Sequence, residues 1–377
     1  MGVCDEGHLL ELDEALERLH AALPAPRLPA LTSDRDDPAL DRSAMDGAAV
    51  RAADGDGPRN LLGTLFAGDD PAAFAVGPGE AVAIMTGACL PPGADAVIPV
   101  ERLRREGDTL HPLDAPKPGA HVRPRGEQAR AGEALLPAGH PWSAAWTGLA
   151  AQVGAPLPTL RRPVVGLAPT GDELVPDPSP WQIRDSNGPM LEALAFRLGA
   201  EVRRLPALPD RREAMLDRLR SLEGLDILLT SGGVSMGEKD LLPGVLAELG
   251  AELLFHKIRL KPGKPMLAAR LGPLTVLGLP GNPVSAYLNA RLFLPVALAR
   301  LQGAARPDPW REGELMEAVS NKGDRPLLHP CRRDGRQLLP LPSHGSADLV
   351  RLAQADACAW IPAGGMGPGP TRYLDLP

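Results

Sequence analysis

The chain has 377 residues, 40 basic and 47 acidic, for a formal net charge of −7, with 43 prolines, 41 glycines and only 3% aromatics. That length exceeds what one core usually serves, so roughly two to four domains are expected, and the mixed charge offers no overall basic field for nucleic acid. Four widely separated cysteines without a C-x-x-C pair argue against a disulfide scaffold and for a reducing, cytoplasmic setting, while no apolar run approaches the roughly 18 residues of a membrane span and the acidic N-terminus is unlike a signal peptide.

The first periodic segment places Leu12, Ala15, Leu16, Leu19 and Leu23 on one stripe, which predicts an amphipathic helix ending at Pro24. Residues 24–41, rich in Pro and Asp, read as a linker. From 60 to 140, short apolar segments such as AVAIMTGA and DAVIPVE alternate with Pro-Gly turns, as in an all-β module. GEQARAGEALLPAGHPW reads as turns between strands. From about 161 strands and helices alternate: PVVGLAP, then NGPMLEALAFRLG, AEVRRLPAL, DRREAMLDRLRSL, LDILLT, a helix after Asp240, TVLGLP, and the helix SAYLNARLFLPVALARLQ. Such alternation predicts a mostly parallel sheet with helices on both faces. Its ligand edge would gather the loops 168–174, 205–211, 230–240 and 278–285. Beyond 304, LLHPCRRDG, RQLLPLP and ACAWIPAG read as a small β-barrel or sandwich.

One loop matches a hydrolase motif. Gly233-Val234-Ser235-Met236-Gly237 fits G-x-S-x-G, and Asp324, Asp334 and His344 follow in the chain order such enzymes use. A nucleophile elbow must turn straight from strand to helix, however. Here Gly237-Glu238-Lys239 intervenes, Asp240 reads as the N-cap, and Pro243 falls in the first helical turn. The stronger reading is an anion cradle, in which Ser231, Gly232, Gly233, Val234 and Ser235 expose backbone N–H groups and hydroxyls at a strand end. KIRLKPGKPM adds Lys257, Lys261 and Lys264 in a proline-stiffened segment suited to a multiply charged anion. GLPGNPVSAY contributes Pro280, Asn282, Pro283 and Ser285 at the start of a helix, with Asn282 or Ser285 as cap and the helix N-terminus facing an anion.

Carboxylates fall on the same edge: Asp172, Glu173, Asp185, Asp210 and Asp240. Beside phosphate, oxygen ligands suggest Mg²⁺, although Asp185 and Asp210 also suit helix caps. Asp46, in a Met-Asp-Gly turn outside the α/β segment, has no local capping duty and is free to reach into a cleft. No G-x-x-x-x-G-K-[ST], G-x-G-x-x-G or H-E-x-x-H occurs, so P-loop, dinucleotide and zinc-hydrolase chemistry are unsupported.

Together DRSAMDG (41–47), IMTGACLPPGADAVIPVE (84–101), VRPRGE (122–127), PTGDEL (169–174), IRDSNG (183–188), TSGGVSMGEKD (230–240), KPGKP (261–265) and GLPGNPVSAY (278–287) closely resemble the molybdopterin molybdenumtransferases, the molybdate-insertion enzymes of molybdenum cofactor biosynthesis. The resemblance implies a multidomain α/β protein: a central three-layer α/β/α domain (161–303), a β-rich insert (41–131), an elongated N-terminal linker domain (1–40 with 132–160) and a C-terminal β-barrel (304–377). It implies adenylylated molybdopterin and molybdate as substrates and Mg²⁺ as cofactor. It also implies a homodimer whose active cleft lies between one subunit's α/β domain and the other's β domain, with molybdopterin adenylyltransferase and recipient molybdoenzymes as further partners. By motif position Asp46, Thr86, Glu173, Asp210, Asp240, Lys257, Lys261, Pro280 and Pro283 correspond to the family's functional residues. Glu173, Asp210 and Asp240 would hold Mg²⁺ or orient water, and Gly232, Gly233 and Ser235 would hold phosphate. The chain departs from the family pattern in a shortened segment before Asp41, in Ala48 and Pro189 for tyrosines, and in Gln128 for an aspartate. Two rival readings are a molybdopterin adenylyltransferase, whose loop is of GGTG type where this chain has GGVS, and a non-catalytic molybdopterin-binding or dimerisation homologue.

Overall fold

The computed structural model describes residues 9–159, 161–171, 173–234 and 240–376. They fall into two compact units, Arg27–Pro158 and a larger one formed by the N-terminal segment up to Pro26 with Thr159–Pro377.

The larger unit is built on a six-stranded sheet in the order Glu201–Arg204, Val164–Pro169, Ile227–Ser231, Leu274–Leu279, Leu267–Leu271, Glu252–His256. The first four strands are parallel, and Leu267–Leu271 alone runs against its neighbours. Strands such as ILLTS and LTVLGL are buried at every position, as expected where both faces are covered. On one face lie the helices Leu12–Ala22, Asn187–Arg197 and Pro283–Leu301. On the other lie Arg212–Arg220 and Leu242–Glu248. The predicted stripe of the first helix, Leu12, Ala15, Leu16 and Leu19, is buried in the same core as the long helix, which it contacts. That long helix is apolar on most sides, and twelve of its positions are buried, the pattern of a helix enclosed by protein. Helix Leu242–Glu248 begins with Leu241 in the N-cap position and makes no side-chain cap; Asp240, expected to cap it, is one residue too early. The C-terminal strands Trp310–Leu315, Gln337–Pro340, Leu327–Asp334, Ala357–Ile361 and Gly369–Asp375 close into a barrel filled by Leu315, Cys331, Leu338, Ile361 and Tyr373.

The Arg27–Pro158 unit holds a second six-stranded sheet, ordered Ala96–Pro99, Gly47–Val50, Glu80–Ile84, Arg59–Leu65, Thr109–Pro112, Leu103–Glu106. Alternation sends Ala48, Val50 and Ile98 to one core and Ala49, Val82 and Val97 to another. A smaller core packs Leu28, Leu31, Trp146 and Ala150. Trp146 belongs to the helix Ala144–Gln152, which lies beyond the segment read as turns and is not among the expected elements; Ser143 caps it by accepting the Trp146 N–H at 3.0 Å. No helix among the described residues is long and apolar enough to cross a membrane.

Candidate active site

Three parallel strands end side by side at Pro169, Ser231 and Leu279, and the loops after them meet at this edge. Thr170 ties two of them by donating its N–H (3.1 Å) and its hydroxyl (2.9 Å) to the Ser231 carbonyl. Gly232 (φ +99°) and Gly233 (φ +69°) turn the chain in the left-handed region. A Cβ on Gly232 would lie 2.4 Å from the Thr170 hydroxyl oxygen, so glycine is required there. The Gly232 N–H, expected to serve a ligand, instead donates to the Leu279 carbonyl at 2.9 Å. Ser235, expected to complete the cradle, and Asp172 lie outside the described residues.

A cleft of about 370 Å³ opens over these ends, lined by Glu173, Asp185, Asp210 and Asp240 together with Gly232, Gly233 and Pro283. Asp185 is committed to structure: it accepts the Gly188 N–H and pairs with Arg204, each at 2.8 Å. The Glu173 carboxylate folds over Gly171, where a Cβ would meet its oxygens at 2.5 and 2.6 Å. No three His, Cys, Asp or Glu side chains among the described residues gather as a metal cluster.

A second cavity, of about 480 Å³, adjoins the first, and Asn282 lines both. Its walls carry Lys261, Lys264, Pro280 and Ser285, faced by Arg325, His329, Ser343, His344 and Ser346 from the barrel segment. Burial lowers the pKa of His329 and so disfavours its charged form, an effect only partly opposed by its hydrogen bond with the Leu341 backbone. Asn282 occupies the N-cap position of the long helix through its backbone, but its side chain does not cap; the amide donates to the Ser346 hydroxyl at 3.0 Å. Lys257, expected to act with the other lysines, lines neither cavity. It adopts φ +74° and donates its N–H to the Met266 carbonyl. Apart from His344, which sequence offers only as a hydrolase partner, the barrel residues of this cavity leave no sequence signal, because Leu327 reaches Lys261 through a long-range bridge.

Asp46 and Thr86 belong to the Arg27–Pro158 unit. The Thr86 N–H and hydroxyl both donate to Asp46 Oδ1 at 2.7 Å, and these two bonds, the backbone one first, hold the carboxyl below the usual range. In the same unit the side-chain amides of Gln128 and Gln152 lie 3.2 Å apart.

Residues 11–154 match the MoeA N-terminal region (domain I and II), and 166–299 match a probable molybdopterin binding domain. A molybdopterin molybdenumtransferase of Synechococcus elongatus is 36% identical over 94% of this chain and 92% of its own length. The chain belongs to the molybdopterin molybdenumtransferase family. The Bacillus subtilis member is 34% identical over 89% of this chain and 83% of its own. The molybdopterin biosynthesis MoeA structure from Pyrococcus horikoshii superposes with a TM-score of 0.71 at 28% identity, covering 98% of this chain and 99% of that one. This breadth favours the molybdenumtransferase over the adenylyltransferase and scaffold readings.

Proposed function

We propose that the protein inserts molybdenum from molybdate into adenylylated molybdopterin with Mg²⁺-dependent release of AMP. The observation that carries this reading is a pair of cavities of opposite chemistry, one walled by carboxylates and one by cations, sharing Asn282 in a chain that matches family members over nearly its whole length.

In the cationic cavity Lys261, Lys264 and Arg325 would neutralise molybdate while nearby serine hydroxyls donate to its oxygens, an arrangement that needs no reorganisation as the oxyanion is passed on. In the neighbouring cleft Glu173, Asp210 and Asp240 face the phosphoanhydride side. Mg²⁺ uses few protein ligands beside phosphate and water, so one or two of these carboxylates suffice although no three-residue cluster forms among the described residues. Bound there, it would neutralise phosphate oxygens as the adenylyl group leaves. A remaining carboxylate would orient the attacking water. Asp46 and Thr86 complete the proposed set, and the four-domain division and a homodimer are part of the same proposal.

The test is an assay of purified protein with adenylylated molybdopterin, Mg²⁺ and molybdate, in which AMP and active cofactor should appear together. Tight binding without AMP would leave a scaffold, and synthesis of the adenylylate from ATP would mean an adenylyltransferase.

A further inference from the structure

The long helix Pro283–Leu301 buries twelve residues, and only Ser285 and Asn289 among them are polar. Four residues apart, they share one helical face. Ser285 lines the cationic cavity. Asn289, one turn deeper and 0% exposed, reaches the loop that carries the lysines: its Nδ2 donates to the Gly263 carbonyl at 3.0 Å. Among the described residues its buried Oδ1 has no hydrogen-bond partner, and it lies 2.6 Å from where a Cβ on Gly263 would stand. An apolar side chain would avoid stranding Oδ1 but would take the donor away from the buried Gly263 carbonyl, so what the amide contributes here is its tie to that loop.

The loop is held at three places. At its start the Lys261 N–H donates to the Pro326 carbonyl and the Lys261 carbonyl accepts from Leu328, at 2.9 and 2.8 Å. At its end the Lys264 carbonyl accepts from Ile258 and Met266, at 3.0 and 2.9 Å. Asn289 supplies the tie at the middle, between the two lysines. We infer that Asn289 is a positioning residue that fixes the spacing of Lys261 and Lys264 for a tetrahedral oxyanion, acting through the Gly263 carbonyl. It never meets the anion itself. This inference rests on the reading of the cationic cavity as the molybdate site.

The experiment measures equilibrium binding of molybdate alone to the full-length protein, together with AMP-release kinetics at varied molybdate. Asn289→Asp keeps the shape and, when ionised, replaces the donor by a second acceptor facing the carbonyl; Asn289→Ala removes the side chain. Asn289→Ala should weaken molybdate binding about tenfold, the size expected of one lost hydrogen bond that orders two charges, and raise its KM, and Asn289→Asp should do the same once the pH is high enough to ionise its buried carboxyl. The kcat at saturating molybdate should stay within about twofold. The Asp variant should regain affinity relative to wild type as pH falls and its carboxyl protonates into a donor, which a packing role would not produce. Should Ala fail to fold, the isosteric Asp variant carries the test. If Lys261→Gln and Lys264→Gln lose molybdate while both folded Asn289 variants bind it as wild type does, the positioning role is wrong. If the lysine variants also bind normally, the molybdate reading of the cavity has failed, and the inference with it.

Discussion

Asn282 and Ser346 are 64 residues apart and joined by a hydrogen bond of 3.0 Å between amide and hydroxyl. The bond links the start of the long helix to the loop before the last barrel strands, at the residue both cavities share. Asn282→Ala and Ser346→Ala should each lower kcat/KM for AMP release several-fold, about what a net 0.5–1.5 kcal/mol hydrogen bond supplies. The double variant should be little worse than either single, because both remove one interaction. A double-mutant cycle measures this; full additivity would mean the residues act separately.

Asp46 is stabilised as a carboxylate by two donors from Thr86. Its pKa is lower folded than unfolded, so its contribution to stability is present above the ordinary carboxylate range and is lost as pH falls through the lowered folded value. Thr86→Val removes the hydroxyl and keeps the backbone N–H. An NMR titration of Asp46 should therefore move upward in the variant without returning fully to the ordinary value.

Gly232→Ala should destabilise the protein by roughly 2 kcal/mol or more, since it adds a left-handed backbone cost to a clash. Gly272, at φ +57°, would meet nothing within 4 Å. Gly272→Ala should therefore cost only the backbone preference, about 1 kcal/mol. Paired denaturant unfolding curves would check the difference, and equal costs would refute the contact with Thr170.

Lys261→Gln should raise the molybdate concentration needed for half-maximal AMP release about tenfold or more, as expected for a charge-assisted contact. Lys257→Gln, at a position lining neither cavity, should change it by less than about threefold on the same scale. Steady-state kinetics with molybdate varied separates the two.

Much of the α/β unit was legible in sequence because its signals are local. Leu12, Ala15, Leu16 and Leu19 mark a buried stripe, and GLPGNP marks a strand end and helix start. The helix Ala144–Gln152 was not, since its mostly small residues (AAWTGLAAQ) give no clear stripe and only Trp146 and Ala150 in it are buried. In the candidate site, Glu173, Asp210 and Asp240 could be grouped from the rule that such loops share an edge. The partners of Lys261 and Lys264 could not. Arg325, His329 and Ser346 reach that cavity through barrel closure and a bridge between Lys261 and Leu327, neither of which leaves a periodic trace. Sequence spacing likewise does not reveal the left-handed backbone of Lys257 or that it lines neither of these two cavities.

The reversed strand Leu267–Leu271 turns the sheet into a ruler. Because it runs against Leu274–Leu279, the lysine loop feeding it begins and ends at the same edge as the glycine loop after Ser231. Two ladder steps separate those loops, about 10 Å at the usual strand spacing. That interval is set by backbone hydrogen bonds between strands that are largely buried. The gauge between the two charged halves of the candidate site should therefore survive surface mutation that remodels either loop.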